Sequence, residues 1–275
     1  MVNEKAVYIS PFEQLKREYE KNYTEDSVIL PFAKTEVFFR GIKSIEQKQL
    51  LRASESGKES VINKAIDEVL LNIVSNWGNI ASIDDTYLKD RNYLLLVARA
   101  LSKSETLKFI PTCNTCETKG LKEIEINIPE IEVKPLPEEL YKREFFITTV
   151  DSEKKYKVIL SPPTRKKEKQ KEAYQVEKGM KLKKKGSAAE EKDLIDVMFI
   201  DSIYLIEKDK ESKLDLTFNY LVELHDILLG KDKDLITKYI LEVNKYGFPV
   251  TTSFYCEECE KDIEVLIDFS DFLLM

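Results

Sequence analysis

The cysteines are the side chains of this sequence whose type and spacing together specify a chemistry. All four fall in two C-x-x-C pairs, Cys113-Asn114-Thr115-Cys116 and Cys256-Glu257-Glu258-Cys259, with none left over. Such a set supplies the four thiolates of one tetrahedral zinc, a closed shell with no position open for a catalytic water, so the expected metal is a structural Zn2+. The alternatives are four buried, unligated thiols or two separate redox pairs. A thioredoxin-like motif expects a helix straight after its first cysteine. Here both pairs lead into alternating strand patterns, Ile124, Ile126 and Ile128 after the first and Ile263, Val265 and Ile267 after the second.

The elements around the cysteines repeat. Each pair follows an extended run that carries an aromatic residue, 107–112 and 250–255, and precedes an alternating one. Strand, knuckle, strand, twice over, is the layout of a zinc ribbon. What is unusual is the separation. Between Cys116 and Cys256 lie 139 residues, where common ribbons have about 15 to 20. A shared site makes the intervening chain an insertion whose ends the metal ties together. The expected fold is therefore α+β: a zinc ribbon built from two distant β-hairpins (106–128 plus 250–275), with a large, mainly helical insertion (129–249) between its halves. Ahead of it stand an N-terminal arm (1–26) and a hairpin followed by three helices (27–105).

Within the first of these regions, Ser27 to Phe32 and Thr35 to Arg40 read as a hairpin around Ala33-Lys34. Ser44 with Gln47 has the form of a capping box opening a helix that Gly57 ends. Ile66, Val69, Leu70 and Ile73 recur at helical spacing and put Asn63, Lys64, Asp67 and Glu68 on the opposite face. Asp84 or Asp85 caps the third helix, with Trp77 plugging the junction before it. In the insertion, Pro129, Pro135 and Pro137 hold a connector extended. A hairpin around Asp151-Ser152 follows, and Gly186-Ser187 precedes helices over 188–207, 214–229 and 234–246, the second of them closed by Gly230.

Other chemistry is missing. There is no G-x-x-x-x-G-K-[ST], G-x-G-x-x-G or G-x-S-x-G run. The one histidine, His225, falls in an expected helix and leaves no Ser/His or Cys/His triad to build. The net charge of −7 argues against a general nucleic-acid binder. No apolar run reaches the roughly 18 residues that span a bilayer, and the first ten residues lack a signal-peptide core. One stretch is basic: ten Lys or Arg against three Glu from Arg165 through Lys185. Its cations Arg165, Lys166, Lys167, Lys169 and Lys171 are candidates for contact with an acidic protein face or with phosphate. With Tyr174 the one aromatic interleaved, single-stranded nucleic acid is disfavoured, and a zinc-ribbon transcription factor is the alternative reading.

The order of elements resembles a known family. An N-terminal hairpin, a helix of the form Ser44-Ile-Glu-Gln-Lys-Gln-Leu-Leu-Arg-Ala53, and two further helices lead into Cys113-x-x-Cys116. After these come the isoleucine strand, a strand from Val158 to Pro163, a helical block, and Tyr255-Cys256-x-x-Cys259 with Asp271-Phe272 at the end. This is similar to the baseplate proteins of T-even-like contractile-tailed bacteriophages, among them baseplate hub subunits and hub assembly proteins. The resemblance covers residues 27–275, with the C-x-x-C pairs its sharp motifs. It implies a non-enzymatic protein that works in the virion tail baseplate or in the host cytoplasm during assembly, with hub and tail proteins as partners. Small-molecule substrates are not among them. Cys113, Cys116, Cys256 and Cys259 are the residues to which it gives a role, metal ligation.

Overall fold

The computed structural model describes residues 25–102, 104–109, 113, 124–147, 154–178, 188–208, 210–249 and 251–266. The expected features that fall elsewhere lie outside the described residues: most of the N-terminal arm, Cys116, the turn at Asp151-Ser152, Gly186-Ser187 and the terminal Asp271-Phe272.

β1 (Glu25–Ile29) and β2 (Glu36–Arg40) form the expected hairpin, with Ile29 opposite Glu36. A third strand, β3 (Val74–Asn76), joins the free edge of β2. It is three residues long and continues directly from a helix, so the helical period runs over it. α1 (Ser44–Glu55) begins one residue earlier in its capping frame than expected. Its N-cap is Lys43, whose N–H donates to the Glu46 carboxylate at 2.8 Å. Glu46 is buried and also receives both terminal nitrogens of Arg40. The acidic residue thereby satisfies one of the orphan donors of the helix start, which the Ser44/Gln47 pair does not.

α2 (Glu59–Ile73) buries the stripe Ile66, Val69, Leu70 and Ile73 as its period requires. Asn63 and Asp67, expected in solvent, are buried as well. The reason is two cations from elsewhere. On α3 (Leu88–Ser102), Arg91 reaches Asp67 at 2.9 Å and the Asn63 carbonyl at 2.7 Å. On α4 (Arg165–Glu177), Arg165 reaches the other Asp67 oxygen at 2.8 Å. Buried charges of this kind persist only when paired. The expected Asp84/Asp85 cap is displaced too, since both residues sit in a 3-10 turn, Ile83–Asp85, ahead of α3.

The insertion is less helical than its sequence suggests. Its centre is a four-stranded antiparallel sheet in the order β6 (Arg143–Ile147), β7 (Lys154–Leu160), β8 (Ile200–Glu207), β9 (Lys210–Lys213). The helix expected over 188–207 stops as α5 at Met198, and Ile200, Ile203 and Ile206 belong to β8. α6 (Phe218–Ile227) follows, and Gly230 opens α7 (Gly230–Val243) instead of closing the helix before it. Val158, Leu160, Ile200 and Ile203 of the sheet pack with Leu194, Val197, Leu221, Ile236 and Tyr239 of the helices in one core. Burying each such side chain contributes about 1.5–3 kcal/mol.

That core is shared with the N-terminal region. Phe32, in the loop of the first hairpin, is a member of it. Asp90 of α3 accepts the Phe32 and Ala33 N–H groups at 2.8 and 2.7 Å and pins the loop in place. Pro31 and Phe32 carbonyls accept from the Leu136 N–H and the Tyr141 hydroxyl. A backbone bridge joins Tyr87 to Thr164, where Leu88 N–H donates to Pro163 at 3.1 Å and Arg165 N–H to Thr86 at 2.9 Å. The insertion is thus fastened along the face formed by α2 and α3.

Candidate metal centre

Two hairpins carry the cysteines. β4 (Thr106–Phe109) pairs antiparallel with β5 (Ile124–Asn127), and β10 (Thr251–Cys256) with β11 (Lys261–Leu266). In the second, Cys256 pairs with Lys261, so Glu257 to Glu260 make the turn. Glu260 takes a left-handed φ of 50° there. That conformation costs a non-glycine residue energy, and it closes the turn one residue after Cys259.

The hairpins are held at a common root. α3 leads into β4, and Ile128, just past β5, donates its N–H to Glu105 at 2.8 Å. Ile128 packs with Leu96 of α3 and with Phe248, three residues before β10. Tyr93 of α3 stacks on Phe248 with ring centroids 6.2 Å apart. Lys134 and Gly247 exchange two backbone hydrogen bonds of 3.4 and 2.7 Å, which ties the exit of the first hairpin to the approach of the second. Gly247 sits at φ 80°, and a Cβ there would lie 3.2 Å from the Phe32 ring and 3.1 Å from the Lys89 side chain. The site is therefore assembled by backbone and packing before any ligand is considered.

At the tips, the Sγ atoms of Cys113, Cys256 and Cys259 all lie within 4.8 Å of one another. Cys113 and Cys256 are buried, Cys259 is half-buried, and Ile263 packs against them. Cys113 Sγ is 3.7 Å from Cys259 Sγ. A disulfide requires about 2.05 Å, while a tetrahedron with Zn–S bonds near 2.3 Å has edges of about 3.8 Å. Burial and the neighbouring Cys256 and Cys113 push the Cys259 thiol up to about 12. Three thiols so placed repel each other's ionised forms, and a soft divalent cation reverses that preference by binding the thiolates. The donor set thus fits zinc. The fourth expected ligand, Cys116, lies outside the described residues.

The basic stretch behaves differently from a binding face. Arg165 is buried, with Asp67, Glu168 and Glu172 around its guanidinium. Lys171 is buried against Glu59 at 3.0 Å, and Lys167 donates to the Ile200 carbonyl at 2.7 Å. Lys166 is exposed, and the partly exposed Lys169 contacts Asp84. The structure places Arg165 and Lys171 in internal ion pairs and not on the surface: carboxylates of α2 (Glu59 and Asp67) and of α4 itself (Glu168 and Glu172) draw this face of α4 inward. The 3- and 4-residue spacing of Arg165, Glu168 and Glu172 on one helical face was the legible sign of it. Among the described residues no helix is long and apolar enough to cross a membrane.

No curated protein matches this chain, and no solved structure does. A family model does, over residues 23–274. That span takes in both hairpins, the shared core and the helices that fasten it, so the chain belongs to the family described as T4 bacteriophage base plate protein.

Proposed function

We propose that the chain is a non-enzymatic structural or assembly subunit of the phage baseplate hub, its two cysteine hairpins clasped by a structural zinc on Cys113, Cys116, Cys256 and Cys259. The observation that carries the zinc is the convergence of sulfurs from hairpins that are remote in sequence. Neighbouring thiols in one knuckle meet by local geometry; Cys113 meets Cys259 only through the tertiary fold. Membership of a baseplate family supports the assembly role, and work through protein contacts agrees with the surface. Tyr220, Ile227 and Leu229 remain exposed around an apolar groove between β8 and α6, the kind of patch that another baseplate subunit covers. The burial of Arg165 and Lys171 takes two cations of the basic stretch away from any nucleic-acid contact.

The test has two arms. Metal analysis of the purified chain should give zinc that is lost from both Cys113→Ser and Cys256→Ser; one full equivalent retained in both variants would refute a shared site. Affinity capture from infected cells should bring down hub and tail proteins, and capture of tail-fibre proteins without any hub component would refute the hub assignment.

A further inference from the structure

A second group of ligating side chains, sharing no residue with the cysteine cluster, lies between α5 and α6. One ring nitrogen of His225 and one carboxylate oxygen each from Asp193 and Asp226 lie within 4.8 Å of one another. His225 is 1% exposed, yet neither of its ring nitrogens has a hydrogen-bond partner. A buried imidazole normally finds one. The carboxylates that face it stand slightly too far away: Asp193 Oδ1 is 3.8 Å from Nδ1, and Asp196 Oδ2 is 3.7 Å from Nε2. Hydrogen bonds need about 2.7–3.2 Å.

A separation near 3.8 Å suits two ligands of one small cation, because zinc–nitrogen and zinc–oxygen bonds of about 2.0–2.2 Å span roughly 3 to 4 Å between donors. The arrangement also divides by role. Nδ1 faces Asp193, which is about two-fifths exposed and accessible to an arriving ion, and Asp226, beside His225, is exposed. Nε2 faces Asp196, which is buried. A carboxylate hydrogen-bonded to the second ring nitrogen is the usual device that fixes the tautomer and orientation of a metal-bound histidine. At 3.7 Å, Asp196 needs to approach by only about 0.5 Å to make that bond. We infer that Asp193, His225 and Asp226 form a binding site for a divalent transition-metal ion of the zinc type, with Asp196 as the positioning residue behind the imidazole. One imidazole and two carboxylates leave room for water, so this site differs in chemistry from a closed thiolate shell. An ion here would bridge α5 to α6 and hold together two helices of the insertion's core.

The test uses the full chain, stripped with chelator and dialysed against micromolar Zn2+, with metal per chain measured for four proteins: the parent, the double variant Asp193→Asn/Asp226→Asn, Cys113→Ser/Cys256→Ser, and the two sets combined. The aspartates are at the surface, so their amides preserve the fold, which circular dichroism checks. The inference expects the aspartate variant to bind one equivalent fewer than the parent, and the cysteine variant to keep that equivalent. Co2+ bound to the cysteine variant should show weak ligand-field bands without thiolate charge transfer, and these should weaken at least about tenfold in the combined variant. Equal metal uptake with and without the aspartate substitutions overturns the site. Failure of the cysteine centre shows separately, as a parent protein whose uptake the cysteine substitutions leave unchanged.

Discussion

Replacing Arg165 with Met should destabilise the protein more than any other single change on α4. The guanidinium donates to Asp67 at 2.8 Å, Glu172 at 2.9 Å and Glu168 at 3.0 Å, and its side chain is 2% exposed. Removing it leaves three carboxylates with Arg91 as the remaining guanidinium, 2.9 Å from Asp67 and 3.8 Å from Glu168, and only the more distant Lys169, 3.9 Å from Asp67, to assist it there. Breaking a buried ion pair in this way costs about 3–5 kcal/mol, a large part of a typical net stability of about 5–15 kcal/mol. Met fills most of the volume, so the loss is electrostatic. It should also depend on pH. Burial already raises the Glu168 pKa, and loss of Arg165 raises it further, so the folded variant holds a proton there that the unfolded chain releases. Deprotonation then opposes folding, so the deficit is larger at pH 8 than at pH 5. Urea unfolding followed by Trp77 fluorescence, at both pH values, measures this. Asp67→Asn in the Arg165→Met background should cost much less than in the parent, as expected within one network. A deficit below about 1 kcal/mol at pH 8, or one equal to that of the exposed Lys166→Met, would refute the account of how α4 is held to α2 and α3.

Asp90 offers a second pH probe: burial lifts its carboxyl from 3.8 to about 7, against the pull of two backbone N–H groups. The folded protein therefore keeps the Asp90 proton where the unfolded chain has lost it, so stability should fall between pH 4 and 7, and Asp90→Asn should flatten that slope in a thermal-melt series. Tyr239→Phe removes the hydroxyl that donates to the Leu140 carbonyl at 2.6 Å and should cost about 1–2 kcal/mol by denaturant midpoint. Gly247→Ala meets both a left-handed φ and the Phe32 ring, and should lower the melting temperature and speed amide exchange at Lys134 and Gly247. Cys256→Ser should loosen the two hairpins in exchange measurements while the sheet β6 to β9 keeps its protection, since its core contains no cysteine.

The parts of this fold written in local pattern were legible. The hairpins beside the cysteines, the first hairpin and the apolar stripe of α2 each follow from period and turn residues. β8 was hidden because its register is irregular. Leu160 pairs with Ile200 and Ile159 with Ser202, so Asp201 is skipped in a bulge, and Ser202 and Ile203 are both buried in succession. That interruption destroys the alternation of a strand and leaves Ile200, Ile203 and Ile206 three apart, as on a helix. The ion network was hidden for another reason. Asn63, Asp67 and Lys171 are residues whose usual place is water, and what buries them arrives from helices distant in sequence. For the metal centre the types and spacing of the cysteines were enough to bring Cys113, Cys256 and Cys259 together on paper. The device that does so physically, a two-bond ladder between Lys134 and Gly247, involves no residue that sequence chemistry would single out.

That ladder changes what capturing an ion requires. In a free chain, closing a loop of 139 residues opposes ligation by roughly (3/2)RT ln n, about 4 kcal/mol. Here the fold has already brought the bases of both arms side by side, so an ion arriving at Cys113, Cys256 and Cys259 would meet donors at high local concentration. Uptake should then be quick and late, a final lock on a finished body, and stripping it should unfasten the tips while the rest of the protein stays folded.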